Sequence, residues 1–364
     1  MAFQLPAYQA PDFTGARLAG APDVRTALCE QDGIAPEYYH STSMFPEYFK
    51  VDGVWRLAPE SRMDSSVVIR PDGTIDVVEN RNLRACDRVI LGRTERGEEG
   101  IYLHENGFSD GSGSDEAFRF RQGRSRETSY ARDYDELIEL LRYEKEHGKV
   151  VWVLGPAFAF DADARSAMQA MVEHGFVHGL MAGNALATHD LEGAYLHTAL
   201  GQDIYTQRQC ANGHYHHLDV INKVRRSGSI HRFVDEHGIS DGIMYACVRH
   251  DVPFVLAGSI RDDGPLPEVI GDAYAAQSAM RAMLRDATTV ICLATMLHTI
   301  AAGNMYPSFR VLGDGTVRPA YLYAVDADEF VVNKLLDRGS LAAKTIVTNV
   351  QDFIHIVARG VGAI

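Results

Sequence analysis

The residues at 255–267 join an apolar strand to a cluster of polar and charged side chains. The residues that follow the strand include Gly258, Ser259, Arg261, Asp262 and Asp263. Two adjacent carboxylates beside a guanidinium have no packing role in a core strand, and their position at a strand end favours a site built for a polar ligand. The alternative is a solvated turn, because two prolines follow and loops are commonly polar.

Three other apolar runs, at 150–154, 177–181 and 289–293, also end in small or polar residues. The residues that follow these runs are Gly155-Pro156, Gly183-Asn184-Ala185, and Thr295-Met296 with His298 and Asn304 beyond. Small residues at successive strand ends are typical of an open α/β sheet whose ligand lies across the carboxyl edge of the strands.

The elements that would position these residues alternate between strand and helix after residue 134. A helix is predicted over 134–146, with Gly148 after its end. Strands are predicted near 150–154, 177–182, 253–257, 289–293, 321–325 and 345–349. Helices are predicted near 162–174, 184–192, 216–236, 266–286, 297–304, 327–338 and 351–358. Six strands with helical crossovers predict an α/β protein with a doubly wound, mostly parallel Rossmann-like sheet.

The first part of the chain has a different pattern. Short β-branched runs at 66–69, 75–78, 88–91 and 100–103 predict a smaller N-terminal β-rich domain over residues 41–130. Residues 1–40 show no clear period and are interpreted as an irregular arm, and 109–116 as a low-complexity loop. The α/β domain then occupies residues 131–364.

Composition and charge exclude several classes of protein. The 364 residues are 46% hydrophobic, which is enough for a large core, and they carry a formal net charge of -14. That charge argues against nucleic acid or an anionic membrane as partner, since either needs a basic face. Five cysteines without a CxxC pair indicate neither a disulfide framework nor a zinc site, and they fit a reducing cytoplasm. We expect no signal peptide, and no apolar run approaches the roughly 20 residues that span a bilayer.

Two strand-to-helix junctions suit a nucleotide. Asp326 ends the apolar run at 321–325, where an acid in a dinucleotide-binding fold hydrogen-bonds the adenosine ribose. The GxGxxG fingerprint is missing from 293–304, so the residues alone leave nucleotide binding open. The helix start at 183–185 can offer backbone N–H groups to a pyrophosphate or a carboxylate, and an ordinary turn is the alternative.

Residues 213–217 contain three histidines, His214, His216 and His217. No second ligand cluster at zinc-like spacing accompanies them, so no bound metal is predicted. We expect His214 or His217 to face a ligand, and one of the three to be a surface or cap residue.

Several segments together resemble one family. They are 183–192, 213–218, 228–230, 242–245, 252–267, 294–298, 303–305, 325–326 and 337–340. In these segments the chain is similar to the NAD-dependent ornithine cyclodeaminase domain of bifunctional arginine dihydrolase/ornithine cyclodeaminase proteins and to their archaeal relatives, once labelled a lysine-oxoglutarate reductase/saccharopine dehydrogenase conserved region. The resemblance is strong over about 130–364 and fainter from 40–43 through 63–64.

The resemblance implies an NAD-binding domain and a redox-neutral deamination. In that chemistry NAD takes hydride from Cα of ornithine, the δ-amine attacks the imine, ammonia leaves, and the cyclic imine is reduced to proline. The cofactor-binding residues predicted on this basis are Gly183, Asn184, Ala185, Gly258, Ser259, Thr295, Met296, His298, Asn304 and Asp326. Asp326 is placed on the adenosine ribose.

The same resemblance suggests how a small basic amino acid would bind. Arg261 is predicted to clamp its carboxylate, and Asp262 or Asp263 to hold the amine or move a proton. His217 is a weaker acid/base candidate. Asp190 and His214 are predicted to complete the substrate site, in a protein that we expect to be a homo-oligomer.

The substrate and the net reaction stay open at this point. The segment at 155–161 is more aromatic than in the relatives, with Phe158 and Phe160 at the side-chain end of the predicted pocket. Ornithine leads, and lysine, diaminobutyrate or a hydroxylated or guanidino relative are alternatives. A net NAD-dependent amino-acid or opine dehydrogenase is the rival function, and a non-catalytic NAD-binding protein is the second.

Overall fold

The N-terminal region of the computed structural model is built from short strands; the structure describes residues 3–60, 62–109, 131–262, 264–328 and 342–364. The strands are β1 (Ala7–Tyr8), β2 (Arg25–Leu28), β3 (Glu47–Val51), β4 (Val54–Leu57), β5 (Ser66–Ile69), β6 (Ile75–Val78), β7 (Arg88–Leu91), β8 (Ile101–Leu103) and β9 (Phe108–Ser109). Helix α1 (Ala16–Ala19) lies between the first two strands.

These strands form antiparallel sheets. β2, β7, β5 and β6 make a four-stranded sheet in that order, β4, β3 and β8 make a three-stranded sheet, and β1 pairs with β9. Fully buried Phe49, Val67, Ile90 and Ile101 pack between them. The strands predicted at 66–69, 75–78, 88–91 and 100–103 are confirmed. Residues 1–40 are more regular than predicted, because Arg25–Leu28 pairs along Arg88–Leu91; the domain limits themselves stay a prediction.

The second region alternates helices and strands. Its strands are β10 (Val150–Leu154), β11 (Gly179–Gly183), β12 (Thr198–Ala199), β13 (Gln202–Asp203), β14 (Phe254–Ala257), β15 (Val269–Ile270), β16 (Thr289–Leu293), β17 (Phe309–Val311), β18 (Val317–Pro319), β19 (Tyr321–Asp326) and β20 (Ala342–Val347). Its helices are α2 (Ala131–His147), α3 (Ala162–Glu173), α4 (Asn184–Leu196), α5 (His216–Ser227), α6 (Ile230–Glu236), α7 (Ile243–Arg249), α8 (Ala273–Arg285), α9 (Met296–Met305) and α10 (Val350–Val361).

A parallel sheet forms the centre of this region. Its order is β15-β14-β11-β10-β16-β19-β20, and every pairing is parallel. The chain starts at β10, builds outward through β11, β14 and β15, and returns to build the other side from β16. The predicted doubly wound Rossmann-like sheet is therefore confirmed, and its topological switch point lies between β10 and β16.

Alternating side chains of the central strands supply two apolar layers. Trp152 and Ile291 belong to one buried cluster, and Val151 and Val290 belong to the other. Because both faces are covered by helices, the strands are apolar at nearly every position and do not alternate with polar residues. This is why the sequence showed them as continuous apolar runs.

Two predicted helices differ in their limits. The helix predicted over 216–236 is two helices, because Gly228 adopts a left-handed conformation (φ 84°) and Ser229 caps the start of α6. The helix predicted over 266–286 begins only at Ala273, after the short strand β15, which was not predicted. The helix predicted at 327–338, the 337–340 motif and nearly all of the 109–116 loop lie outside the described residues.

The two regions are joined by packing and by ion pairs. The β17–β18 hairpin contributes Phe309 to an apolar cluster with Met44 and Phe108 of the N-terminal region. Glu79 forms ion pairs with Arg62 at 2.8 Å and with Arg281 of α8 at 3.1 Å. Among the helices that the structure describes, none has the length and apolar character needed to cross a bilayer.

Candidate functional site

At the switch point, the backbone after β10 lies in very close contact with the backbone after β16. The Gly155 N–H group donates to the Leu293 carbonyl at 2.8 Å. A Cβ atom at Gly155 would lie 1.8 Å from the carbonyl oxygen of Ala294, so only glycine fits. Ala294 itself has φ 51°. The backbones of the two strand ends are therefore in contact, and a ligand crevice is expected above them at this switch point.

The next strand end brings Gly183 against a histidine from the other half of the sheet. A Cβ atom at Gly183 would lie 3.2 Å from Cε1 of His298. Burial lowers the pKa of His298 below its usual value, which favours a neutral ring at neutral pH. Gly183 and His298 thus lie together at the carboxyl edge, as their shared assignment to the cofactor requires.

Helix α4 begins at this edge without a side-chain cap. Gly183 is its N-cap residue and provides no side chain to bond the first N–H groups. The Asn184 side chain does not cap it either, because its Oδ1 accepts from the Leu266 N–H group at 3.1 Å. The N–H groups at the start of α4, which include those of Asn184 and Ala185, suit an anionic ligand.

The polar turn after β14 has a defined internal structure. The Gly258 N–H group donates to the Ile270 carbonyl at 2.9 Å, and a Cβ atom there would lie 3.0 Å from that oxygen. The Asp262 carboxylate accepts from the Ser259 N–H group at 2.8 Å, so it closes the turn. Arg261 is exposed, and no ion pair joins it to any residue that the structure describes. Asp263 lies outside the described residues.

Helix α9 separates two residues that were predicted to act together. Thr295 is its N-cap residue and Met296 its first residue, and both lie at the carboxyl edge. Asn304 lies in the last turn, about 12 Å along the helix axis from Met296. Its backbone carbonyl accepts from Arg62 at 3.0 Å. Asn304 thus lies at the end of α9 away from the carboxyl edge, and its cofactor role stays a prediction.

Asp326 is the last residue of β19, and β19 pairs with β16. Its Oδ1 accepts from the Asp328 N–H group at 2.9 Å. Among the described residues, its other oxygen has no hydrogen-bond partner. Asp326 is therefore at the carboxyl edge next to β16, where the fold would place a ribose.

Asp190 is a structural residue. It is fully buried in α4 and accepts from Arg165 at 2.9 Å and from the N–H groups of Ile243 and Met244 at 3.0 and 2.8 Å. It thus caps the start of α7 and neutralises a buried guanidinium. Both of its oxygens are engaged inside the core, and the substrate contact of Asp190 stays a prediction.

The histidines at 213–217 have different surroundings. His214 is exposed, and its ring lies 4.1 Å from that of Tyr215, which is a surface arrangement. His216 is hydrogen-bonded through Nδ1 to Thr198 at 2.8 Å. Nδ1 of His217 is buried and has no hydrogen-bond partner among the residues that the structure describes. Among the described residues, no group of three or more His, Cys, Asp and Glu side chains could hold a metal ion.

The sequence reasoning missed a buried histidine and carboxylate on α4. His189 Nδ1 lies 2.9 Å from Glu192, and the ring of His189 lies 5.5 Å from Phe160 and 6.2 Å from His217. Phe160 ends the 3₁₀ turn Pro156–Phe160 that follows Gly155, whereas Phe158 is fully buried core. The available signal was the spacing of His189 and Glu192, three residues apart on one helix face.

Helix α4 therefore carries two carboxylates, Asp190 and Glu192, whose oxygens are fully hydrogen-bonded. The start of the same helix, at the sheet edge, has no side-chain cap. Burial acts to raise the pKa of Glu192, but hydrogen bonds from His189, Gly201 and Thr198 outweigh it and hold the pKa below its usual value. Glu192 is thus ionised at neutral pH inside the protein. Such a charge costs free energy unless its partners are complete, so the arrangement must be fixed.

Comparison with known proteins agrees with this architecture. The family model described as the C-terminal, Rossmann-fold domain of ArgZ-like arginine dihydrolases matches residues 136–357. A relative from Methanocaldococcus jannaschii, named ornithine cyclodeaminase, is 36% identical over 355 residues, which cover 95% of this chain and 79% of the relative.

Two solved structures extend the comparison. The crystal structure of an LOR/SDH protein from Methanococcus maripaludis has a TM-score of 0.82 and 32% identity, and the match covers 94% of this chain and 98% of that one. The ternary complex of AgrE with ornithine and NAD+ has a TM-score of 0.58 and 32% identity. That match covers 94% of this chain and 46% of AgrE, so the chain spans about half the length of the bifunctional protein.

Proposed function

We propose that this chain converts ornithine to proline and ammonia. The chain belongs to the ArgZ-like family of ornithine cyclodeaminases, which are NAD-dependent ammonia-lyases. The observation that carries the proposal is the close backbone contact of Gly155 with Ala294 at the switch point, in a chain that aligns over 94% of its length with a protein solved with ornithine and NAD+. Atoms balance without a second substrate, because closing the ring on Cα expels one amino group as ammonia.

The described residues fit NAD, the family's cofactor. The uncapped start of α4 would receive phosphate oxygens at the N–H groups of Asn184 and Ala185, with Gly183 leaving room for close approach. Thr295 and Met296 would border the cofactor on the other side of the switch point, and Asp326 would accept from the adenosine ribose. When bound, NAD supplies an acceptor for the hydride from Cα and a donor for the return of that hydride.

We assign the substrate carboxylate to Arg261. Its guanidinium is exposed beside the crevice and has no ion pair with a described residue, so it is available for a bidentate contact. Of the two aspartates beside it, Asp262 closes the turn, and we assign an ammonium group of the substrate to Asp263. His217, with its unpartnered buried Nδ1, is our second contact to the polar end of the substrate.

The test uses the purified protein with NAD+ and a panel of ornithine, lysine, diaminobutyrate and arginine. Ammonia, NADH absorbance and product mass are followed together. The proposal requires ammonia and proline from ornithine without accumulation of NADH. Accumulation of NADH would favour the amino-acid or opine dehydrogenase, and binding of NAD+ without turnover of any amino acid would favour a non-catalytic NAD-binding protein.

A variant pair tests the carboxylate assignment. Arg261→Ala should raise KM for ornithine roughly 10- to 100-fold, the loss expected for a charged hydrogen-bond pair. Arg249→Ala is the control, because Arg249 forms a surface ion pair with exposed Asp235 on α6, and it should leave KM unchanged. An unchanged KM in Arg261→Ala would remove Arg261 from the substrate site.

Assembly and location belong to the same proposal. We infer a homo-oligomer in the cytoplasm, and the five cysteines, all free, suit a reducing compartment. Light scattering of the purified protein tests the assembly.

A further inference from the structure

We propose that His189 is the base that accepts a proton from the substrate amine in this site, and that Glu192 is the positioning residue that holds it. This inference rests on the proposed function, and it concerns two residues of α4 that had no assigned role. Four observations support it: the hydrogen bonds around Glu192, the state of the second ring nitrogen of His189, the position of His189 beside the turn that leaves β10, and the unpartnered His217 beside it.

The hydrogen bonds around Glu192 determine which nitrogen of His189 carries the proton. Oε2 of Glu192 accepts from His189 Nδ1 at 2.9 Å and from the Leu200 N–H group at 3.1 Å. Oε1 accepts from the Thr198 hydroxyl at 2.8 Å and from the Gly201 N–H group at 3.0 Å. A carboxylate has about four acceptor positions, and here four donors fill them. Because ionised Glu192 can only accept, Nδ1 of His189 must bear its proton.

The other nitrogen of His189 is therefore the basic one when the ring is neutral. Among the described residues, Nε2 has no hydrogen-bond partner, and the His189 side chain is 9% exposed. A neutral imidazole that donates through Nδ1 presents a lone pair at Nε2, which is the arrangement of a general base oriented by a carboxylate.

His189 lies beside the turn that leaves β10 at the carboxyl edge. Asn184 begins α4 at the carboxyl edge, and His189 lies five residues further, about 7.5 Å along the helix axis. The ring of Phe160, at the end of the turn that leaves β10, lies 5.5 Å from the ring of His189.

The neighbouring His217 supplies an independent indication of a ligand. Its Nδ1 atom is buried without a partner in the described part of the chain, and its ring lies 6.2 Å from that of His189. A buried polar atom without a partner costs free energy, and a bound polar group would remove that cost. An amine between the two imidazoles would meet both.

The proton transfer is balanced as follows. Nε2 of His189 takes one proton from the α-ammonium group of ornithine and becomes cationic, while the amine nitrogen recovers its lone pair. That lone pair forms the C=N bond as the Cα–H bond breaks and its electron pair passes to NAD+. Ionised Glu192 stabilises the imidazolium that results. The proton on His189 is then available for the ammonia that leaves.

The test begins with His189→Asn, which keeps an N–H donor near the position of Nδ1 and removes the lone pair at Nε2. The hydrogen bond to Glu192 and the turn at 198–201 should survive, so Tm should stay near that of the wild type. We expect kcat to fall roughly 100- to 10,000-fold with KM changed much less, as for loss of a general base. His174→Asn, at an exposed histidine that ends α3, is the matched control and should keep kcat.

A second measurement does not depend on turnover. Isotope-edited NMR of histidine nitrogens should show one neutral Nδ1–H ring that is absent from His189→Asn and that shifts when ornithine binds with NAD+. If wild type makes proline and His189→Asn keeps kcat within roughly threefold, the base assignment is overturned and the proposed function stands. If wild type turns over nothing, the proposed function falls. An Nε2–H ring, or a His189 signal that ornithine leaves unchanged, would overturn the base assignment in either case.

Discussion

The contact between Gly155 and Ala294 predicts that adding one methyl group disrupts both stability and cofactor binding. In Gly155→Ala the new Cβ atom would start 1.8 Å from the Ala294 oxygen, 2.6 Å from its carbonyl carbon and 3.3 Å from Thr295 Cβ. Real Cβ contacts are not shorter than about 3.0 Å, so the two strand ends must separate by more than 1 Å. The backbone conformation at Gly155 (φ -85°) suits alanine, and the clash is therefore the whole effect.

The magnitude follows from overpacking. Forcing an extra methyl group into a close-packed site costs about 1–3 kcal/mol. We expect a cost at the upper end of this range at Gly155, because the backbone must move. We expect the free energy of unfolding in urea to fall by about 3 kcal/mol. NAD affinity should fall at least roughly tenfold, since the displaced turn carries Thr295. Gly313→Ala in the β17–β18 hairpin is the control, because its Cβ would meet nothing within 4 Å.

Two assays check the prediction, urea unfolding followed by circular dichroism and calorimetric titration with NAD+. A Gly155→Ala protein with the unfolding midpoint and NAD affinity of Gly313→Ala would refute the reasoning. It would show that the switch-point backbone relaxes without cost, and the crevice could not then be treated as a rigid binding surface.

The remaining predictions concern two carboxylates. Asp326→Ala should weaken NAD binding by about 1–3 kcal/mol in calorimetric titration, and an unchanged affinity would remove Asp326 from the cofactor site. Glu192 has a folded-state pKa below its usual value of 4.5, so its contribution to stability is present above pH 4.5 and is lost as the pH falls through the lower, folded-state value. The difference in urea midpoint between wild type and Glu192→Gln should therefore shrink on acidification; a constant difference would mean that the hydrogen bonds of Glu192 do not depend on its charge.

The sequence predicted the parts of the fold that depend on local pattern. The central strands were visible because burial on both faces makes them continuous apolar runs, and the strand ends at Gly183, Gly258 and Thr295 were visible because small residues interrupt those runs. The break between α5 and α6 could also have been predicted from Gly228-Ser229, where a left-handed glycine ends one helix and a serine caps the next. Strand β15 could not have been predicted, since its two residues show no period and depend on pairing with β14.

The site residues were harder because their partners are distant in sequence. Asp190 looked like a substrate carboxylate, and only the fold brings Arg165 and the start of α7 to it. Asn304 looked like part of a strand-end cluster, but α9 carries it to the far end of the helix. Of the donors that saturate Glu192, only His189 lies within one turn of α4, whereas the others come from residues 198–201, whose orientation no spacing rule gives.

The two buried carboxylates also explain how an uncapped helix start can serve as a binding surface. Unbonded N–H groups at the start of α4 would normally fray or recruit a side chain, because they cost free energy. Here Asp190 fixes one side of the helix to α3 and α7, and Glu192 fixes another to the turn at 198–201. The body of the helix therefore stays in place whether or not a ligand is bound. On the proposed function, a phosphate bound at Asn184 and Ala185 would meet donors already aligned, so little conformational entropy would be lost on binding.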